Sequence, residues 1–153
     1  MIRKVQVSSW AAAGLVALSV AGGTSAGGTM ELCRGSNNSK ARVYPVLQLL
    51  RVVDGDTQDV VLDLWEGRIT ARHRLRLIGV DTPEVRGDEK VAGARVAGIV
   101  KEWWRTTGPH HVSIRGIGKY GRPLAYVINA KGKTLNSFLL ENKHAVPYCG
   151  GRR

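Results

Sequence analysis

Residues 76–84 of this chain read Arg76-Leu77-Ile78-Gly79-Val80-Asp81-Thr82-Pro83-Glu84. The aliphatic residues favour an extended backbone, and Pro83 lacks an amide donor and ends the strand. One strand-to-loop exit therefore carries a guanidinium and two carboxylates, those of Arg76, Asp81 and Glu84. Carboxylates bind hard cations and arginine forks onto phosphate, so this exit suits a metal-dependent phosphate site. The alternative interpretation of the same residues is a solvated turn with a surface ion pair.

The residues before this stretch predict a meander of three strands. Residues 46–53 have the β-branched and aliphatic content of a largely buried strand, which ends at the tight turn Asp54-Gly55-Asp56-Thr57. Residues 60–64 supply the next strand. Residues 72–80 return with alternating leucine and arginine, as expected of a strand with one face in water.

The residues after Gly87 predict a helix, two strands and a shorter helix. Asp88 and Glu89 favour a helix start, apolar residues follow at spacings of three and four with Ala94 on the inner face, and Pro109 ends the helix. Three further elements are predicted: strands at residues 112–115 and 124–128 and a helix at residues 135–142. This order predicts a mainly β fold with α-helices (α+β), a five-stranded Greek-key barrel of the OB type with two helices.

Aromatic and histidine side chains match no site in this order of elements. Adjacent helix residues point in different directions, so we predict that Trp103 and Trp104 pack, one in the core and the other at its rim. His110, His111 and His144 belong to no motif and are expected to be surface or hydrogen-bonded residues rather than metal ligands.

The charge of the chain points to a polyanionic partner. The 153 residues include 23 basic and 12 acidic ones, which gives a formal net charge of +11. Nucleic acid and an anionic membrane surface are the partners to consider, and the alternative is that the charge only maintains solubility. The 43% hydrophobic composition excludes disorder over most of the length, and the length fits one domain.

The start of the chain has the pattern of a signal peptide at residues 1–26. A basic start precedes an apolar run and a small-residue cleavage signal at Ala26, and the run is too short for a membrane span of roughly 20 residues. Residues 27–43 predict a flexible linker and residues 44–153 the folded domain. We therefore expect a secreted protein without stable membrane association. If Met30 is instead the true start, the protein is expected to be cytoplasmic.

Two cysteines, Cys33 and Cys149, lie near opposite ends of the mature chain. Their spacing does not suggest a zinc site. Export would permit a disulfide between them, but sequence does not show whether they approach each other.

Four segments together resemble the staphylococcal nuclease (thermonuclease) family, over residues 46 to about 148. They are Val53-Asp54-Gly55-Asp56-Thr57, the stretch from Arg76 to Glu84, Lys119-Tyr120-Gly121-Arg122 followed by Leu124-Ala125-Tyr126, and Leu135-Asn136. The resemblance implies a Ca²⁺-dependent endonuclease that hydrolyses DNA and RNA with low sequence specificity. We expect it to be a monomer.

The resemblance implies a metal site and a base. Asp56 and Asp81 would be direct Ca²⁺ ligands, with the backbone carbonyl of Thr82 as a third. Their chemistry agrees, since carboxylates at the ends of separate strands could converge on one hard cation. Glu84 has a longer side chain and would activate or orient the attacking water as general base.

The resemblance also implies phosphate contacts. Arg76 and Arg122 would fork onto the scissile phosphate and stabilise its transition state. Lys119 and Tyr120 resemble the family's contacts to a neighbouring phosphate. The alternative for these two residues is a basic loop with one packed aromatic side chain.

The chain departs from the family in several places. Gly118 replaces the usual aspartate before Lys119, the segment from Asp56 to Arg76 is several residues longer, and the chain stops at Arg153, where the type member continues into a third helix. Tyr148 stands near the family's substrate-contacting tyrosines in an ambiguous register. The alternative function is a non-catalytic basic OB-fold module that binds nucleic acid.

Overall fold

The predicted meander forms the first half of a barrel. A computed structural model describes residues 41–150. β1 spans Arg42–Asp54, β2 spans Thr57–Trp65 and β3 spans Ile69–Leu77, and each strand pairs antiparallel with the next. The extra residues between Asp56 and Arg76 lengthen the hairpin of β2 and β3, whose pairing runs from Thr57 opposite Arg76 to Trp65 opposite Ile69. The prediction of three consecutive strands is confirmed.

Two later strands close the barrel. β5 spans His111–Ile117 and β6 spans Pro123–Ile128, and the strand order around the barrel is β1-β2-β3-β6-β5. β6 lies parallel to β3, whereas β5 pairs antiparallel with β1 and β6. This arrangement confirms the predicted fold class, a closed five-stranded barrel of the OB type with two helices. β1 begins at Arg42 and not near Tyr44, because the first residues of β1 pair with β5.

The predicted strand over residues 72–80 is interrupted after Leu77. Gly79 has a φ of +78°, a left-handed conformation that glycine adopts without strain, and the chain bends there. β4 spans Gly79–Asp81 and forms a separate two-stranded sheet with β7, which spans Val146–Tyr148. The Asn136 side chain donates to the carbonyl of Ile78 at 2.8 Å and so fixes the bend.

Two helices cover the barrel. A 3-10 turn at Gly87–Glu89 leads into α1, which spans Lys90–Thr107, and α2 spans Leu135–Glu141. The prediction that Ala94 faces inward is wrong: Ala94 is exposed. The stripe of α1 that packs against the barrel is instead formed by six residues, Gly93, Val96, Ala97, Val100, Trp103 and Trp104.

The prediction that one tryptophan of the pair lies at the rim is also wrong. Trp103 and Trp104 are both buried, and their rings meet edge to face at a centroid distance of 6.1 Å. Both rings also contact His110, and Trp103 contacts Phe138 of α2, so the last turns of α1 are enclosed on two sides. His110 is buried and its Nε2 lies 3.0 Å from the Thr107 hydroxyl, which confirms a hydrogen-bonded packing role.

Several predictions concern residues outside the described range. The signal peptide at residues 1–26, residues 27–40 of the linker, and Cys33 all lie there, so export and the disulfide stay predictions. Within residues 41–150, neither helix has the length and apolar character needed to cross a membrane.

Candidate active site

Strand register brings the separate site segments together at one end of the barrel. Thr57 of β2 lies opposite Arg76 of β3, and Arg76 lies beside Leu124 of β6. Asp56 directly precedes Thr57, and Arg122 stands two residues before Leu124. The central position of β3 therefore explains why residues distant in sequence meet around Arg76.

Arg76 is the centre of this cluster. Its side chain is only 16% exposed, and Nη1 forms an ion pair with Oδ1 of Asp56. Nη2 donates to Oδ1 of Asp81 and to the carbonyl of Val80, each at 3.2 Å. Burial lowers the pKa of Arg76, while the charges of Asp81 and Asp54 oppose that shift. The two predicted metal-binding carboxylates thus meet at one guanidinium.

Asp56 is held on both of its oxygens. Its side chain is 5% exposed, and Oδ2 accepts hydrogen bonds from the Thr82 amide at 2.9 Å and the Thr82 hydroxyl at 3.2 Å. Oδ1 accepts from the Thr57 hydroxyl at 3.1 Å. The structure therefore joins the first turn to the residue after Asp81. The predicted role of the Thr82 carbonyl as a metal ligand stays a prediction.

Glycine at position 55 permits this close approach. A Cβ atom there would lie 2.7 Å from Cγ2 of Thr82 and 2.7 Å from Cγ1 of Val96, distances that side chains do not tolerate. The buried amide of Gln58 donates to the Gly55 carbonyl at 3.1 Å and supports the turn from the barrel interior. The turn that carries Asp56 thus packs closely against Thr82 and α1.

Asp54 belongs to the site, although sequence reasoning treated it as a turn residue. Its Oδ1 accepts from the Asp56 amide at 3.1 Å. Burial raises the pKa of Asp54, while hydrogen bonds from Thr57 and the charges of Arg76 and Arg122 act in the opposite direction. The signal that could have identified it is the Asp-Gly-Asp turn itself, in which Asp54 lies two residues before the predicted ligand Asp56.

Glu84 lies three residues beyond Asp81, in the loop between β4 and the 3-10 turn. The residue is exposed, and its backbone amide donates to Oε2 of Glu89 at 3.1 Å. A Cβ on Gly93 of α1 would lie 2.2 Å from the Glu84 carbonyl oxygen. Tight packing of α1 against the backbone therefore positions this loop, while water reaches the residue.

Arg122, Lys119 and Tyr120 share the loop between β5 and β6. Two backbone hydrogen bonds close this loop, from Gly118 to Arg122 at 2.7 Å and from Gly121 to Gly118 at 3.0 Å. The Tyr120 ring is 74% exposed and has the Arg122 guanidinium 5.5 Å and the Lys119 ammonium 5.8 Å from its centroid. The three residues thus form one cationic cluster, in which Lys119 and Tyr120 are exposed and Arg122 is half-buried.

The fit to a metal ion is partial. Among residues 41–150, no group of three or more His, Cys, Asp or Glu side chains is arranged to hold a metal ion. Asp56 and Asp81 nevertheless contact one guanidinium, and carboxylate oxygens are suitable donors for Ca²⁺. β7 also places Tyr148 opposite Gly79, two residues from Asp81.

The chain is partly similar to a succinoglycan biosynthesis protein. No family model matches the chain. The succinoglycan biosynthesis protein ExoI of Rhizobium meliloti (strain 1021) is 28% identical over 109 residues, which cover 67% of this chain and 52% of that protein. The chain thus spans about half the length of the curated relative that it matches.

Proposed function

We propose that this protein is a Ca²⁺-dependent nuclease that hydrolyses phosphodiester bonds in DNA and RNA with little sequence preference. One observation carries the proposal: Arg76 joins Asp56 and Asp81 at the end of the barrel where Arg122 also lies. The net charge of +11 favours a polyanionic substrate, and the resemblance to the thermonuclease family supports the same reaction.

Arg76 and Arg122 are suited to bind the scissile phosphate. The contacts of Arg76 with Asp56, Asp81 and Val80 use three of its five N–H donors, so others remain for a phosphate oxygen. The charge of Arg122 acts on both Asp54 and Arg76, which places it close to the same centre. Two guanidinium groups would stabilise the negative charge that grows on phosphate in the transition state.

Glu84 is the residue suited to activate water. It is exposed in the loop that begins at Asp81, whereas Asp56 is buried and engaged on both oxygens. A carboxylate accepts a proton from water only where water reaches it. We therefore assign the general base to Glu84.

Asp56 and Asp81 are the residues that would hold a Ca²⁺ ion, with the Thr82 carbonyl as a further donor. When bound, the ion would offset the charge that otherwise repels an anionic nucleophile from phosphate. Asp56 also contacts Arg76 through Oδ1, so cation binding has to compete with this ion pair.

The test is cleavage of single-stranded DNA and of RNA with Ca²⁺ and with EDTA. We expect product with Ca²⁺ and none with EDTA, and a fall of at least about 10²-fold in rate for Glu84→Gln. Glu141→Gln is the matched control, because it makes the same change in an exposed residue at the end of α2. Cleavage that is unaffected by EDTA or by Glu84→Gln would contradict this mechanism.

The second candidate function is a nucleic-acid-binding module without turnover. The ion pairs of Arg76 favour it, because they already offset part of the negative charge of the carboxylates without a metal. In that case binding falls steeply with salt, since phosphate contacts release counterions, and no divalent metal gives product. The aspartates argue against it, because negative charge weakens a surface that only binds phosphate.

A further inference from the structure

A groove on the outside of the barrel continues from Arg122 along the β2–β3 hairpin. It has a volume of about 880 Å³, with Asp59, Arg72 and Arg74 on one side and residues 120–123 on the other. Its origin lies in the pairing of β3 with β6, which is limited to Arg76 with Leu124 and Leu77 with Ala125. The β5–β6 loop and β3 therefore separate before that point and leave a groove.

Alternation along β3 sets the charge of the groove. Arg72, Arg74 and Arg76 occupy every second position and share one face of the strand, while Leu75 and Leu77 point into the core. Arg76 is in the proposed catalytic centre and the other two arginines line the groove. A row of guanidinium groups thus leads away from the site.

The groove keeps a positive charge although it contains one carboxylate. Asp59 accepts bidentate hydrogen bonds from Arg74 at 2.7 and 2.8 Å and lies 3.5 Å from Arg51. Among residues 41–150, no acidic side chain forms an ion pair with Arg72, which is exposed. Asp59 therefore orients Arg74, and Arg72 is available for an anion.

We propose that this groove binds the phosphates of nucleotides that flank the cleaved bond in a single-stranded polynucleotide, through Arg72 and Arg74. The inference depends on the proposed function for the position of the cleaved bond. The exposed ring of Tyr120 in the wall offers a face on which a base stacks, and stacking on an aromatic ring tolerates any base. The groove thus favours long substrates over short ones without reading sequence.

The test measures binding rather than cleavage. All variants carry Glu84→Gln, and fluorescence anisotropy gives the Kd for a labelled thymidine dinucleotide and for an oligothymidylate of about 12 nucleotides, a length that OB folds bind. We expect Arg72→Ala with Arg74→Ala to weaken the long oligonucleotide about tenfold and to leave the dinucleotide unchanged. The salt dependence of log K should become shallower by about 0.7 for each lost phosphate contact.

Lys131→Ala is the control, because it removes one positive charge from the turn after β6, where Ala130 bonds to the C-terminal end of α1. Far-UV circular dichroism shows whether the variants fold. The single variant Arg72→Ala leaves the ion pair of Arg74 with Asp59 intact. An equal loss for both lengths, no loss, or the same loss with Lys131→Ala would overturn the proposal. Labelled dextran sulfate tests whether any polyanion binds in the same way. If its Kd depends on Arg72 and Arg74 as much as that of the oligonucleotide does, the assignment to nucleic acid is overturned.

The two proposals fail in different ways. If the parent cleaves DNA while the arginine variants bind the long oligonucleotide normally, the groove proposal falls and the nuclease stands. If length-dependent binding requires Arg72 and Arg74 but no metal supports cleavage, the nuclease falls and the groove stands as a binding surface.

Discussion

The carboxylate of Asp54 is partly buried, and its negative charge is unfavourable there. Burial raises its pKa above the usual aspartate value of 3.8, so the folded protein resists its ionisation. The stabilising contribution of this group is therefore present below pH 3.8 and is lost as the pH rises through the raised folded-state pKa. At neutral pH the charge costs stability, and a bound cation would offset that cost.

We predict that Asp54→Asn raises the melting temperature of the protein in EDTA. Asparagine keeps a side-chain oxygen for the Asp56 amide and removes the buried charge. The gain over the parent should be absent near pH 3 and should grow as the pH rises towards 7, which thermal denaturation at a series of pH values measures. A gain of the same size at every pH would mean that the effect does not come from ionisation.

The proximity of residues distant in sequence was predictable where the chemistry of the side chains is distinctive. Asp56, Arg76 and Asp81 could be assigned together because carboxylates and a guanidinium at strand ends have few packing roles, and the structure brings these three into contact. Asp54 was missed because an Asp-Gly pair also explains a tight turn. The prediction that one of Trp103 and Trp104 lies at the rim was wrong because sequence does not show that α2 and His110 enclose the end of α1.

The two interior glycines of α1 have different surroundings. A Cβ on Gly93 would lie 2.2 Å from the Glu84 carbonyl oxygen, whereas a Cβ on Gly98 would meet nothing within 4 Å. The first glycine therefore permits contact with the loop that carries Glu84. The second only lowers the intrinsic stability of the helix.

We predict opposite effects for the two glycine-to-alanine changes. Gly93→Ala should lower the free energy of unfolding by about 1 to 3 kcal/mol, because the backbone of the Glu84 loop has to move. Gly98→Ala should raise it by up to about 1 kcal/mol through helix propensity. Urea denaturation measures both, and the nuclease assay should show lower activity for Gly93→Ala only. Shifts in the same direction would contradict this account of α1.

Elements with strong periodicity were predicted well, and short ones were not. The strands of the barrel and both helices have runs of apolar residues that determine their type. β4 and β7 have three residues each and exist because they pair with each other across the chain, so no local pattern predicts them. The same pairing keeps Asp81 at a fixed place.

In the whole molecule, a Ca²⁺ ion held at the proposed site would link metal binding to folding. A ligand that binds only the folded state stabilises it by mass action, by about 2.7 kcal/mol at a concentration of 100 times Kd. If Asp56 and Asp81 hold Ca²⁺, the ion should raise the melting temperature of the parent and EDTA should reverse the change. Asp81→Asn should abolish this shift, and Glu141→Gln should leave it intact. No shift at millimolar Ca²⁺ would contradict a site in the folded protein.

The parallel pairing of β3 with β6 also affects the order in which parts of the site form during folding. The meander alone contains Asp56 and Arg76, but Arg122 reaches them only when β6 docks beside β3. Contacts between residues so far apart in sequence form slowly, because the intervening chain has to be ordered first. During synthesis, a chain that has emerged only as far as β5 contains Arg76 but not Arg122. If the protein is the nuclease proposed above, its activity would therefore be acquired late, after β6 has joined β3 and β7 has paired with β4.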